Sequence, residues 1–142
     1  MDRQGIRRHI EATCPGIEVL EDEAGSWFFV VPGPHNPHKI PFATVTVSDR
    51  YDPGSDLERR GLFRLNLGIG VAAYTERFGK PPAFPKGGGV AEPGRDYAVA
   101  DRLMPHPVYA AMGWVCVVQP SAATFEGLKP LVAAAYAAGR AV

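Results

Sequence analysis

Hydrophobic and polar positions change period several times along this chain, and each change predicts an element. From Arg3 to Thr13, Ile6 and Ile10 recur with helical spacing, continued by Thr13 or Cys14, while Arg3, Arg7 and Glu11 share another face. Arg7 and Glu11 stand four apart, where opposite charges meet on a helix. Pro15 and Gly16 end the helix. The period then shortens to alternation. Strands are expected over 17–21, with Ile17 and Val19 on one side, and over 27–31; the turn residues Asp22, Glu23 and Gly25 join them as a hairpin. After a proline-rich loop to Pro41, the stretch 42–48 sets Phe42, Thr44 and Thr46 against Ala43, Val45 and Val47. A polar loop covers 49–61. In 63–67, Phe63, Leu65 and Leu67 take one face and Arg64 and Asn66 the other.

The second half reads less evenly. Gly70 to Phe78 suits a short helix through Val71, Tyr74 and Phe78. The proline- and glycine-rich stretch 80–95 forms no regular element. A weak strand signal lies at 97–104, one or two helical turns at 107–112 with Pro107 at the first position, and a strongly apolar strand at 114–118. Ser121 is a helix N-cap candidate, followed by the stripe Phe125, Leu128, Val132, Ala135 and Tyr136. Pro130 falls inside that stripe and predicts a kink or break near 127–129. The order helix, strands, helix predicts an α+β fold, an antiparallel sheet packed against N- and C-terminal helices.

The chain of 142 residues is the size of one domain, able to bury about 68–70% of its unfolded surface. Its 15 basic and 15 acidic residues cancel, so the basic excess of a general nucleic-acid or anionic-membrane binder is absent. A nucleic-acid face would need Arg3, Arg7 and Arg8 to converge with Arg59, Arg60 and Arg64. Zero net charge offers little repulsion between copies, leaving monomer or homodimer open. Cys14 and Cys116 have no near partner and read as reduced, buried thiols. The charged N-terminus lacks a signal-peptide core, and no apolar run reaches the ~20 residues that span a bilayer. A cytoplasmic protein with no membrane partner is expected.

Several motifs fail on context. Gly68-Ile69-Gly70-Val71-Ala72-Ala73 matches a dinucleotide-binding turn, but no second parallel strand with an acidic end follows. Lys86-Gly87-Gly88-Gly89 lacks the rest of a phosphate loop. His35 and His38 lack an evident third metal ligand. Asp49 to Asp56 does not have calcium-loop spacing and is explained by Asp–Arg pairing and Asx turns. No serine or cysteine hydrolase signature occurs, so no catalytic residue, metal or cofactor is assigned. The unusual segment is Asp101-Arg102-Leu103-Met104-Pro105-His106-Pro107-Val108-Tyr109. A histidine held between two prolines suits proton transfer or anion recognition, and Arg102 could grip a carboxylate or phosphate. The structural alternative is that His106 caps the short helix and Asp101 pairs with Arg102 or Arg64.

Four stretches carry a family resemblance: Pro41-Phe42-Ala43-Thr44, Gly61 to Gly70, Asp101 to Tyr109, and Trp114-Val115-Cys116-Val117 running into Pro120 to Phe125. Through them the chain resembles a bacterial family catalogued only as a domain of unknown function. More remotely the layout is similar to the MmcQ/YjbR-like proteins, whose fold is like that of CyaY, the bacterial frataxin. That resemblance implies an N-terminal helix, an antiparallel sheet and a C-terminal helix packed on it. The 80–95 insert departs from the compact form of that fold. DNA binding, suggested for MmcQ/YjbR-like proteins, comes with no residue signature to carry over. Frataxin-like iron binding implies an acidic first helix, whereas this one is rich in arginine. The leading expectation is a non-enzymatic binding or interaction module. The alternatives are a small-molecule pocket, enzymatic or not, built from Arg64, Asn66, Asp101, Arg102, His106 and Tyr109, and a DNA-binding protein.

Overall fold

The first helix begins where a side chain can close it. In the computed structural model, which describes residues 1–59 and 61–141, α1 spans Arg3–Thr13, and the Asp2 carboxylate accepts the Gly5 amide at 2.8 Å. That satisfies one of the amides a helix N-terminus leaves free. Ile6 and Ile10 are fully buried, and Arg7 pairs with Glu11 at 3.2 Å on the outer side. Arg3 and Arg7 lie over the Trp27 ring at 4.5 and 5.0 Å.

Six strands follow: β1 (Glu18–Glu21), β2 (Trp27–Val30), β3 (Pro41–Thr46), β4 (Arg64–Gly68), β5 (Met104–Pro105) and β6 (Trp114–Val118). They form one sheet in the order β1-β2-β3-β4-β6-β5, each neighbouring pair antiparallel. The β1–β2 turn is held by the Asp22 carboxylate, which accepts the amides of Ala24 and Ser26 as an Asx turn does. Alternation divides the sheet into two faces. One carries Phe29, Val45, Leu65, Leu67, Val115 and Val117, which join Ile6 and Ile10 of α1 and the apolar stripe of α3 (Ala122–Arg140) in the main core. The other carries a row set by register: Leu20, Phe28, Thr44, Asn66, Cys116 and Met104. A bulge in β3 opposite Phe29 and Val30 interrupts this alternation. It lets Phe42 meet Gly139 of α3 while Pro41 and Thr44 both face the opposite side, the re-aiming that bulges produce.

Two expectations need correcting. α3 runs unbroken through Pro130, with Ser121 accepting the Thr124 amide as its N-cap. Phe125 and Leu128 before the proline and Leu131, Val132 and Ala135 after it are all buried, so packing on both sides holds the helix. Pro130 itself is exposed, leaving the carbonyl it frees to water. The 97–104 strand shrinks to Met104–Pro105 plus one bridge from Ala100 to Val118. The 80–95 stretch has no helix or strand, yet it is tied down: Ala91 donates to the Pro107 carbonyl at 2.7 Å, and Val90 packs with Tyr97, Met104 and Cys116 over the second face of the sheet.

The glycine motif acts as a turn. Gly68 ends β4 and Gly70 opens α2 (Val71–Phe78), and β6 returns antiparallel to β4, not parallel as a dinucleotide fold requires. Gly113 lies against this turn, with φ +82; a Cβ there would come 2.3 Å from the Gly70 carbonyl carbon. Gly16 has a similar φ of +77 but nothing within 4 Å. Gly16→Ala should therefore lose about 1–2 kcal/mol, the cost of left-handed backbone alone. Gly113→Ala should lose about 1–3 kcal/mol more, because β6 and the turn are forced apart. Urea unfolding of the two variants checks this, and equal losses would contradict it.

Candidate functional site

The second face of the sheet holds a charge where a strand interior ordinarily holds none. Arg64 in β4 is 0% exposed. A buried guanidinium is tolerated only if it is neutralised and its donors are used. Both conditions are met locally. Nε donates to Asn66 Oδ1 at 2.7 Å, Nη1 to Ser55 Oγ at 2.9 Å and Nη2 to Asp52 Oδ2 at 3.2 Å. Asn66 passes the chain on, its Nδ2 donating to the hydroxyls of Thr44 at 2.9 Å and Thr46 at 3.1 Å. The result is a continuous polar network across β3 and β4, capped by two residues from the loop between them.

That loop is shaped to deliver Asp52 and Ser55. The Asp49 carboxylate accepts the Leu57 amide at 3.2 Å, and Leu57, in a 3₁₀ turn over Leu57–Arg59, is fully buried. Arg59 donates to the carbonyls of Ser55 and Ala98, each at 2.9 Å. Gly54, at φ +111, lies against Val90 and Tyr97, so the β3–β4 loop and the 80–100 region brace each other.

His106 reaches the same network from the β5 side. Its amide donates to the Trp114 carbonyl at 3.0 Å. Its ring Nδ1 accepts the amides of Val108 at 3.1 Å and Tyr109 at 3.0 Å, capping the 3₁₀ turn at Tyr109–Met112. Accepting two amides makes Nδ1 the unprotonated nitrogen, so the hydrogen of the neutral ring is on Nε2, which lies 3.5 Å from Asp52 Oδ2. Burial pushes the imidazole down to about 4, against the pull of its contact with Asp52 and with added help from the Arg64 charge. At neutral pH His106 is therefore a donor whose one basic nitrogen is consumed by the backbone, and it has no lone pair for a substrate proton. Burial alone would raise the Asp52 carboxyl, but the His106 contact and the Arg64 charge outweigh it and hold the group below its ordinary value.

A cleft of about 470 Å³ opens above this network, within the usual range for small-molecule sites. Thr44, Thr46, Asp52 and His106 form its polar part, and Phe28, Tyr51, Tyr109, Met112 and Trp114 supply apolar walls. Ile40, Tyr51, Tyr109 and Met112 are all more than 40% exposed at its rim. Two buried carboxylate oxygens are left over among the described residues, Asp49 Oδ1 in the loop and, at the cleft, Asp52 Oδ1. Asp52 Oδ1 is closed off from water and accepts no hydrogen bond from the described residues, although the Asp52 side chain is only 10% exposed. A buried carboxylate oxygen without a donor is costly.

Of the residues singled out in the sequence, Arg64, Asn66, His106 and Tyr109 come together here. Arg64 and Asn66 lie beneath the cleft rather than on its surface; His106 and Tyr109 line it. Asp101 and Arg102 lie apart from this cleft. Asp101, at φ +59, accepts the Ser121 amide at 2.7 Å and fixes the turn from β6 into α3; that amide also lowers its carboxyl pKa. Arg102 is exposed and lines no part of the cleft. Asp101 makes no ion pair with Arg102 or Arg64 among the described residues; Asp52 is the partner of Arg64. The arginines of the supposed basic face are divided, since Arg64 is buried and Arg59 is tied to two carbonyls, and Arg60 lies outside the described residues. Both cysteines are free and buried, and burial pushes the Cys116 thiol up to about 12. Among the described residues no three His, Cys, Asp or Glu side chains group as metal ligands, and His35 meets the Gly139 carbonyl.

The residues missed in the sequence are Asp52, Ser55, Thr44, Thr46, Phe28, Tyr51 and Trp114. A signal existed for the threonines: Thr44 and Thr46 alternate out of step with Val45, as Arg64 and Asn66 do with Leu65. Two neighbouring strands each offering a polar pair on the face away from the core predict a polar network between them. For Asp52 and Ser55 only the folded loop reveals the connection.

The chain belongs to a family of unknown function (DUF6194), which matches residues 1–141. No curated protein and no solved structure matches it.

The Arg64–Asp52 pair makes a direct prediction. Arg64→Met and Asp52→Asn should each cost about 3–5 kcal/mol, because each strands a buried polar partner. The double variant should lose less than the sum, with a coupling of about 1–3 kcal/mol in urea unfolding. Additive losses would mean that the pair does not act as a unit.

Proposed function

We propose that this protein is a non-enzymatic binding protein whose cleft takes a small, largely apolar molecule carrying at least one hydrogen-bond donor. The observation that carries this reading is Asp52 Oδ1, a buried carboxylate oxygen with no donor among the described residues, on a residue that lines an apolar cleft. The terminal torsion of an aspartate is broad, so a modest rotation brings that oxygen to a donor entering the cleft. Thr44 adds a complementary group: its hydroxyl accepts from Asn66 and keeps its own hydrogen for an acceptor on the same molecule. The apolar walls supply most of the contact area, and the polar part sets orientation.

The non-enzymatic part of the reading rests on the groups that chemistry would need. The basic nitrogen of His106 is occupied, Asp52 is a weakened base because its carboxyl is held low, and the Cys116 thiol is held far from its reactive form. The wider reading remains that of a bacterial cytoplasmic protein with an MmcQ/YjbR-like, CyaY-like fold. It is supported by an N-terminal and a C-terminal helix in one core against an antiparallel sheet. Two reduced cysteines, and the lack among the described residues of any helix long and apolar enough to cross a membrane, are consistent with it.

An NMR screen of the isotope-labelled chain against a library of small aromatic and heterocyclic donors tests the proposal. Hits should move the Trp114 indole N–H, the Tyr109 amide and the His106 ring together. Hits that leave those signals in place would contradict it.

A further inference from the structure

We infer that the cleft selects an organic cation: a protonated amine on an aromatic or apolar body, seated with its N–H groups on the Asp52 carboxylate. This rests on the reading of the cleft as a small-molecule site and names the class of molecule it takes. The first argument is the sign of the charge that a ligand meets. Asp52 is the one charged side chain among the described residues that line the cleft. Arg64 lies behind it, fully buried, with each of its three nitrogens already donating, to Asn66, Ser55 and Asp52. The pair is thus a fixed dipole with its negative end toward the cleft. An anion entering there approaches the carboxylate first, with the guanidinium fully buried behind it and no part of the cleft lining.

The second argument is hydrogen-bond supply. His106 Nε2–H already faces Asp52 Oδ2 at 3.5 Å and Arg64 donates to that same oxygen at 3.2 Å, so Oδ2 is served while Oδ1 is not. An ammonium group brings several donors at once and can satisfy Oδ1 while a second hydrogen meets a threonine hydroxyl oxygen. The third is the wall. Phe28, Tyr51, Tyr109 and Trp114 line the same cleft as the carboxylate, and ring faces attract a cation held within about 6 Å of their centres. A cleft lined by a carboxylate and by aromatic rings favours an ammonium over an alcohol of the same shape on both counts.

Three probes with one indole body separate the possibilities: tryptamine, a cation at neutral pH; tryptophol, its neutral alcohol; and indole-3-propionate, an anion. Each is titrated into the full chain by calorimetry, with the Trp114 indole N–H and the His106 ring followed by NMR to locate binding. Tryptamine should bind at the cleft at least about tenfold more tightly than tryptophol, and indole-3-propionate most weakly. Equal binding of tryptamine and tryptophol would overturn the cation inference and leave the small-molecule reading intact. Tightest binding of the propionate would overturn it outright. If none of the three moves the cleft signals, the small-molecule reading falls and the inference with it.

Discussion

A guanidinium placed inside a β-sheet has to be answered, and much of this fold is the answer. Arg64 is fully enclosed in β4. Its charge needs an anion and its fork needs acceptors, and water supplies neither there. Asn66, two residues along the strand, takes the Nε hydrogen. The two Nη nitrogens require the chain between β3 and β4 to fold back over the sheet and present Ser55 and Asp52. The position of that loop, the polar part of the cleft and the orientation of His106 toward Asp52 follow from this one requirement.

The two faces of the sheet are therefore held by different forces. On the first, α1 and α3 bury an apolar core by area alone, which is non-directional and tolerant of small shifts. On the second, directional bonds position loops that carry little regular structure, and their geometry is correspondingly specific. The division has a functional consequence. A core of helices on a sheet gives the platform, while the loop face offers a cleft whose chemistry depends on a few bonds being made. Rigid elements under a cleft walled by loops is a common arrangement for binding sites.

The apolar skeleton was legible in the sequence because it is written in local period: Ile6 and Ile10 for α1, the alternation around Leu65, the run Trp114 to Val118, and Ser121 as the cap of α3. At Pro130 the expected break is absent, since the local rule for a helix interior is overridden by buried residues on both sides and by solvent at the proline. The candidate site was only half legible. Arg64 and Asn66 stand out as polar residues in a strand, and His106 stands out between prolines. Asp52 and Ser55 have no periodicity to betray them; their role arises from a long-range charge requirement that joins loop to strand. Asp101 and Arg102 drew attention through their neighbours in sequence, but the turn into α3 takes Asp101 for itself.

The central claim is that the ionised Asp52 holds the β3–β4 loop over Arg64. Its pH signature follows from linkage. Asp52 titrates below its ordinary value in the folded chain, so its contribution is intact above the unfolded value and is lost as pH falls through the folded one. His106, at about 4 against the usual 6.5, works in the same direction, because the unfolded chain takes up that proton first on acidification. The most direct measurement follows the Asp52 carboxylate carbon and the backbone amides of residues 49–59 by NMR as pH is lowered. The Leu57 amide and its neighbours should lose their folded signals together with Asp52 protonation, below the ordinary carboxylate range and ahead of the amides of Leu65 and Val117. A loop that keeps its folded signals after Asp52 has taken up its proton would contradict the account.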